Sequence, residues 1–156
     1  MQATTRVMLL VILFTAGVIG YAASQEQGAL TYEKDVKPII SKRCLLCHGS
    51  NAPTIEEFNK DKEGFKQQNK GPRMDTYENL MIFVNGTDTG ALMRRLDDGK
   101  NTKDGNAGNM YKTLGGTDVE RAENLVVIKK WIGGWTLKRN AEITDAERRA
   151  IKALEK

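Results

Sequence analysis

The feature that most restricts this chain is the motif Cys44-Leu45-Leu46-Cys47-His48. On a helix, side chains three and four residues apart lie on one face, so both thiols and the imidazole point in a similar direction. Two thiols and an imidazole at this spacing are the attachment signature of a c-type haem. The motif therefore predicts two thioether bonds to one haem, with His48 Nε2 as the proximal iron ligand and its Nδ1–H held by a carbonyl.

Other chemistries use a Cys-x-x-Cys pair, and the rest of the sequence argues against them. A thioredoxin-like redox site needs a strand before the motif and a βαβ frame, and no strand-like segment precedes Cys44. A zinc site needs two further thiolate or imidazole ligands, but the chain has only two cysteines and one histidine. The position of that histidine favours haem over a plain disulfide.

Composition narrows the protein class and the partners. The 156 residues are 40% hydrophobic, which suits a single domain. One histidine excludes bis-histidine haem sites, and two cysteines are too few for a disulfide scaffold. The formal net charge of +4 is spread over interspersed signs without a basic stripe, so we expect no nucleic-acid partner. Nothing in the composition calls for an oligomer, and we expect a monomer.

The N-terminus has the pattern of an export signal. An apolar run, Val7–Ala23, follows Arg6 and ends in the small residues Ala22-Ala23-Ser24. We therefore predict a signal peptide at 1–24 and a periplasmic location for the mature chain. The alternative is an uncleaved membrane anchor, and we expect contact with a membrane only in that case.

Helical periodicity dominates the remaining chain, and the sequence predicts an all-α fold with long, Gly-rich connections. The first helix is predicted over about 32–48, and Thr54 with Glu57 forms a possible capping box in the polar stretch that follows. The next helix is predicted behind Asp75 and Glu78 as cap and partner. A short helix is predicted at Ala91–Leu96.

The last core helix is predicted from a second capping box, Thr117 to Glu120. Its apolar side comprises Ala122, Leu125, Ile128, Trp131, Ile132 and Trp135. We place one domain at 25–136 and a charged amphipathic helix at 137–156. That helix is capped by Thr144 and Glu147 and either packs on the domain or docks on a partner.

The sixth iron position has no second histidine to fill it, so the candidates are methionine, lysine or nothing. Met110 follows the glycine- and asparagine-rich loop 98–109, where little side-chain bulk hinders the approach of a thioether. We predict Met110 as the distal ligand, with Met74 as the alternative. Met81 and Met93 lie among apolar helical residues and are predicted to fill the core.

The stretch from about 31 to 135 resembles a class I monohaem cytochrome c. The likeness is carried by Pro38-Ile39-Ile40, which runs into Cys-x-x-Cys-His-Gly, and by the stretch Ile128–Gly134. It is similar in particular to periplasmic monohaem cytochromes of metal-reducing, electrode-respiring bacteria. The resemblance implies a cytochrome c-like fold whose N- and C-terminal helices cross around a covalently bound haem.

The same resemblance implies particular contacts. Ile39 or Ile40 is expected near Trp131 and Ile132, with His48 proximal and Met110 distal. A proline carbonyl near the haem motif commonly accepts the hydrogen bond of the proximal histidine in this family. Pro53 and Pro72 both remain candidates for that role, because the polar insertion at 50–70 separates them.

Several charged and aromatic residues have both a functional and an ordinary interpretation. Arg73, Trp131 and Trp135 are candidate partners of the haem propionates, because buried carboxylates need charged or N–H donors; otherwise they are core and surface residues. Three basic residues also have two interpretations. They either steer acidic partners or form an ordinary solvated face: Lys42, Arg43 and Lys112.

A haem with both axial positions filled has no open site for a substrate, so we expect a single-electron carrier and not an enzyme. Its partners are then redox proteins that donate and accept electrons in transient complexes. The alternative is a haem-based ligand-binding or peroxidase-like module with a labile Met110, although no distal histidine or other evident general base is present.

Overall fold

The computed structural model describes residues 28–156, so the predicted signal peptide at 1–24 lies outside the described residues. Over this range the chain has no β-strand, and a single antiparallel bridge joins Gly133 to Ile151. The all-α prediction is confirmed. No helix within 28–156 has the length and apolar character needed to span a bilayer.

The α-helices of the described residues are α1 (Lys37–Arg43), α2 (Leu45–His48), α3 (Ile55–Lys60), α4 (Lys62–Gln67), α5 (Tyr77–Val84), α6 (Ala91–Leu96), α7 (Asp118–Ile132) and α8 (Asp145–Ala150).

The first helical stretch follows the predicted range but is irregular. It opens with a π-helical turn, Tyr32–Val36, which is capped by the Thr31 hydroxyl and leads into α1. The helix breaks at Cys44 and resumes as α2. The Cys44 carbonyl accepts the amides of Cys47 at 3.2 Å and His48 at 3.0 Å, which winds the motif into a tight turn.

α7 begins at the predicted cap, because the Thr117 hydroxyl accepts the amide of Glu120 at 3.1 Å. Four members of the predicted apolar side are buried: Leu125, Ile128, Trp131 and Ile132. Ala122 is exposed. Gly133 adopts a positive φ of 74° and ends the helix, so Trp135 lies beyond it.

The N- and C-terminal helical stretches meet, as predicted. α7 packs against the turn Tyr32–Val36, where the rings of Tyr32 and Trp131 lie 6.2 Å apart between centroids. α1 packs against a short 3₁₀ helix, Tyr111–Leu114, and its Arg43 forms an ion pair with Glu120 of α7. Ile40 is buried in the same core.

α5 and α6 supply the other side of this core. The cap of α5 is Thr76 and not Asp75, because the Thr76 hydroxyl accepts the amide of Asn79. Asp75 instead accepts the Asn79 side-chain amide at 2.9 Å. α6 has the predicted bounds, and Met93 is buried there as predicted.

The polar insertion folds into a small helical hairpin. α3 starts at the predicted capping box of Thr54 and Glu57, and α4 packs back against α3. The rings of Phe58 and Phe65 stack with their centroids 6.2 Å apart. The insertion therefore has an aromatic contact of its own beside the main core.

The C-terminal tail differs from the single helix predicted over 137–156. Its helical part is limited to a short 3₁₀ turn and α8, which ends at Ala150. The chain leaves the helix at Ile151, which is extended, and residues 151–155 form a C-terminal strap in which Ile151 and Ala153 are buried. The amides of Lys152 and Ala153 donate to the carbonyls of Ile132 and Trp131 at 2.8 and 3.0 Å. The strap is thus built into the domain.

Candidate haem site

The imidazole of His48 is fixed by Pro72. His48 Nδ1 lies 2.7 Å from the Pro72 carbonyl oxygen, which can only accept, so Nδ1 carries the proton and Nε2 keeps a free lone pair. Burial lowers the pKa of His48, and the bond to Pro72 opposes this only in part. The imidazole is therefore neutral at pH 7, which is the form that ligates a metal.

Pro53, the other candidate acceptor, has a different role. Its carbonyl accepts the amide of Arg73 at 2.8 Å, while Nε and Nη2 of Arg73 both donate to the Ala52 carbonyl at 3.2 Å. Arg73 thus ties the segment that carries Pro72 to the start of the insertion. These donors of Arg73 are engaged within the chain.

The segment 71–74 runs beside the haem motif and is bonded to it on both sides of the imidazole. The amide of Gly71 donates to the Cys47 carbonyl at 2.9 Å, and the amide of Met74 donates to the His48 carbonyl at 2.8 Å. The side-chain bond to Pro72 lies between these two main-chain bonds. Three hydrogen bonds therefore set the orientation of the histidine.

Gly71 leaves no room for a side chain against the His48 ring. A Cβ at this position would lie 2.0 Å from Cε1 and 2.5 Å from Nδ1 of His48. Only glycine allows the backbone to approach the ring this closely. Sequence reasoning missed Gly71, and its position directly before a candidate proline was the available signal.

We expect Gly71→Ala to displace His48 and to weaken its bond with Pro72. Overpacking of this kind costs about 1–3 kcal/mol of stability, and here the strain falls on the imidazole. The expected result is a lower thermal unfolding midpoint of the holoprotein and an altered Soret spectrum. Gly28→Ala is the matched control, because a Cβ there meets nothing within 4 Å. Equal spectra and equal midpoints for both variants would contradict the tight fit at Gly71.

The two cysteines of the motif are half-buried and form no disulfide. Burial raises the pKa of the Cys44 thiol to about 11. Within 28–156 no three His, Cys, Asp or Glu side chains come together to hold a bare metal ion. Two thiols and one neutral imidazole at this spacing match what covalent attachment of a haem requires.

Met110 is held by main-chain bonds. Its amide donates to the Arg95 carbonyl at 2.9 Å, and the amide of Gly108 donates to the Asp97 carbonyl at 2.8 Å. Directly after Met110, the 3₁₀ helix Tyr111–Leu114 packs against α1, α6 and α7. The Met110 side chain is half-buried against the core. The loop is therefore fastened at its end and less free than its glycine content implied.

The other methionines occupy different surroundings. Met74 belongs to the segment bonded to His48, two residues after Pro72. Met81 is half-buried against the core, and Met93 is fully enclosed in it.

The indole of Trp131 is engaged within the chain. Trp131 is 1% exposed, and its Nε1–H donates to the Leu154 carbonyl at 2.8 Å. A propionate would have to displace the C-terminal strap to reach this donor, so Trp131 acts here as a core residue. The ring of Trp135 lies under the ammonium of Lys129, 4.4 Å from it.

The basic residues before the motif are paired with an acid of α7. Arg43 and Lys42 both form ion pairs with Glu120, the latter at 3.2 Å. Three hydrogen bonds lower the pKa of Glu120 to about 2. The largest effect comes from Arg43, followed by the Gly116 amide and Lys42. Glu120 offsets one of the two positive charges, which leaves less charge for steering a partner. Lys112, near the distal loop, is exposed.

Comparison with known proteins agrees with this geometry. A family model described as PccH cytochrome c matches residues 31–156. The chain belongs to the PccH cytochrome c family. A solved structure of the monohaem cytochrome PccH from Geobacter sulfurreducens is 48% identical, with a TM-score of 0.76, and the match covers 81% of this chain and 99% of that one. No curated protein matches the chain.

Membership of the PccH family confirms the resemblance to monohaem class I cytochromes and implies one covalently bound c-type haem. It also supports an electron-transfer function with redox partners. The family match continues to residue 156 and so includes the C-terminal strap.

Proposed function

We propose that this protein is a periplasmic single-electron carrier whose haem iron is ligated by His48 and Met110. The observation that carries the proposal is the 2.7 Å contact between His48 Nδ1 and the Pro72 carbonyl, which leaves Nε2 as the ligating nitrogen. When bound, a c-type haem supplies one-electron cycling between ferrous and ferric iron. Cys44 and Cys47 hold the group covalently, and the segment 71–74 keeps the imidazole from rotating.

Two contacts support Met110 over Met74 as the distal ligand. The main chain of Met74 is bonded to the His48 carbonyl, so Met74 belongs to the segment that holds the proximal histidine. Met110 instead precedes a 3₁₀ helix that packs on α1, the helix that leads into the haem motif. A thioether from a separate, fastened segment is suited to the face opposite the histidine.

The location and partners form part of the same proposal. Cytochromes c are typically exported, and the apolar run before Ser24 supports export with cleavage after that residue. We propose a monomer that meets donor and acceptor proteins in short-lived complexes. Non-enzymatic function follows from two filled axial positions and from the use of the only histidine as a ligand.

The test is the response of the purified holoprotein to external ligands. We expect a reversible one-electron titration, a low-spin ferric spectrum with the weak far-red band of iron–sulfur bonding, and no reaction of the ferrous protein with carbon monoxide. Ready binding of carbon monoxide, or rapid turnover of hydrogen peroxide with an electron donor, would instead establish the ligand-binding or peroxidase-like alternative.

A further inference from the structure

A fully buried carboxylate lies at the start of the loop that leads to Met110. Asp97 directly follows α6 and is 0% exposed. It accepts the Gly99 amide at 2.9 Å, the Asn101 side-chain amide at 2.8 Å and the Lys129 ammonium at 3.2 Å. Burial acts to raise the pKa of Asp97, but these hydrogen bonds outweigh it and the pKa lies below its usual range. A buried charge with this many partners is costly to disturb.

Asp97 also connects both ends of the loop. Its carbonyl accepts the amide of Gly108, and two residues earlier the Arg95 carbonyl accepts the amide of Met110. The start of the loop is thus bonded to its end, and the Asp97 side chain reaches across to α7. The partner there, Lys129, has a side chain only 19% exposed and lies over the Trp135 ring.

We propose that Asp97 and Lys129 are positioning residues that keep Met110 on the iron by anchoring its loop to α7. The inference rests on the proposed ligation by Met110. Anchoring of this kind acts on the rate at which the thioether leaves the iron, because the loop must move for Met110 to move. Loss of the anchor then opens the distal position to external ligands without altering His48.

The same loop provides a matched control. Asp98 pairs with Lys100 at 3.0 Å, and although the Asp98 side chain is only 14% exposed, Lys100 is 83% exposed and belongs to the same loop, so this pair does not join the loop to α7. Asp98→Asn makes the same chemical change one residue away from Asp97→Asn. Met110→Ala gives the reference state with no thioether.

The experiment measures imidazole binding to the ferric holoprotein by stopped flow, together with thermal unfolding. At saturating imidazole the binding rate is limited by departure of the methionine. We expect this limiting rate to rise on the order of tenfold in Asp97→Asn and in Lys129→Met, and to stay at the wild-type value in Asp98→Asn. Asn101→Ala, which removes a single hydrogen bond to Asp97, should show a smaller rise and serves if the other variants fail to fold.

The outcomes separate this inference from the proposed ligation. If the Asp97, Lys129 and Asn101 variants unfold at lower temperature but bind imidazole at the wild-type limiting rate, the residues are structural and the inference is overturned. If Met110→Ala itself keeps the wild-type limiting rate and far-red band, the proposed ligation fails, whatever the Asp97 variants do. If imidazole binding to Met110→Ala no longer reaches a limiting rate, and Asp97→Asn binds imidazole faster than the wild type, the result supports both the ligation by Met110 and the anchoring by Asp97.

Discussion

Deletion of residues 151–156 is expected to unfold most of the protein at room temperature. It removes buried Ile151, worth about 1.5–3 kcal/mol. It also removes the Leu154 carbonyl, which accepts Trp131 Nε1 and the Tyr32 amide at 2.8 Å each, and the Ala153 carbonyl, which accepts the Tyr77 hydroxyl at 2.9 Å. Each buried donor left without an acceptor costs about 1–3 kcal/mol. The sum is about 4.5–12 kcal/mol, which is comparable with the whole stability of many domains.

The measurement is chemical denaturation of the holoprotein, followed by Soret absorbance and by tryptophan fluorescence. Leu154→Ala is the control, because it keeps the carbonyl and truncates a side chain that is already 44% exposed. We expect this control to lie within about 1 kcal/mol of the wild type. A deletion variant as stable as the full chain that loses only its binding to a larger complex would show that the tail is a docking element.

The helix starts were predictable because their signals are local. Thr54, Thr117 and Thr144 each lie three residues before a glutamate, and in all three cases the hydroxyl accepts the glutamate amide as predicted. Thr76 shows the limit of this approach. Asp75 and Thr76 are both good caps, and their order in the sequence does not decide between them.

The tail was not predictable, because contacts distant in sequence override its periodicity. Ala150, Ile151 and Leu154 have helical spacing, yet the chain extends after Ala150. In this non-helical form the main chain bonds to the end of α7 and buries Ala153 completely. Those partners lie far earlier in the sequence, and a hydrophobic pattern does not contain them.

The candidate haem site also has a part that is predictable from local sequence and a part that depends on distant contacts. Cys44, Cys47 and His48 form one contiguous motif, so the sequence alone predicts them as the residues that hold the haem. The choice of Pro72 over Pro53 depends on the path of the whole insertion between them, which returns the chain to the motif only at Gly71. Asp97 carries no sequence signal, since an aspartate before a glycine-rich loop is usually a turn residue.

Met110→Ala is expected to convert the proposed closed site into an open one. Loss of the thioether leaves the iron with one strong protein ligand, His48, so the ferric far-red band disappears and the ferrous protein binds carbon monoxide stoichiometrically. We expect the change to be confined to the distal side, because Met110 is only half-buried and its main-chain bond to the Arg95 carbonyl does not depend on the side chain. Optical spectra of both oxidation states, with and without carbon monoxide, provide the measurement.

Met74→Ala distinguishes the two candidate ligands. Like Met110→Ala, it removes one thioether from a half-buried methionine, so the two variants are chemically matched. If Met110 is the ligand, Met74→Ala keeps the far-red band and still excludes carbon monoxide, since its amide bond to the His48 carbonyl survives the substitution. The reverse result would place the ligand two residues after Pro72, on the same segment that holds the histidine. A single segment would then have to reach both faces of the haem, and the bonds from Gly71 and Met74 to the motif leave it little freedom to do so.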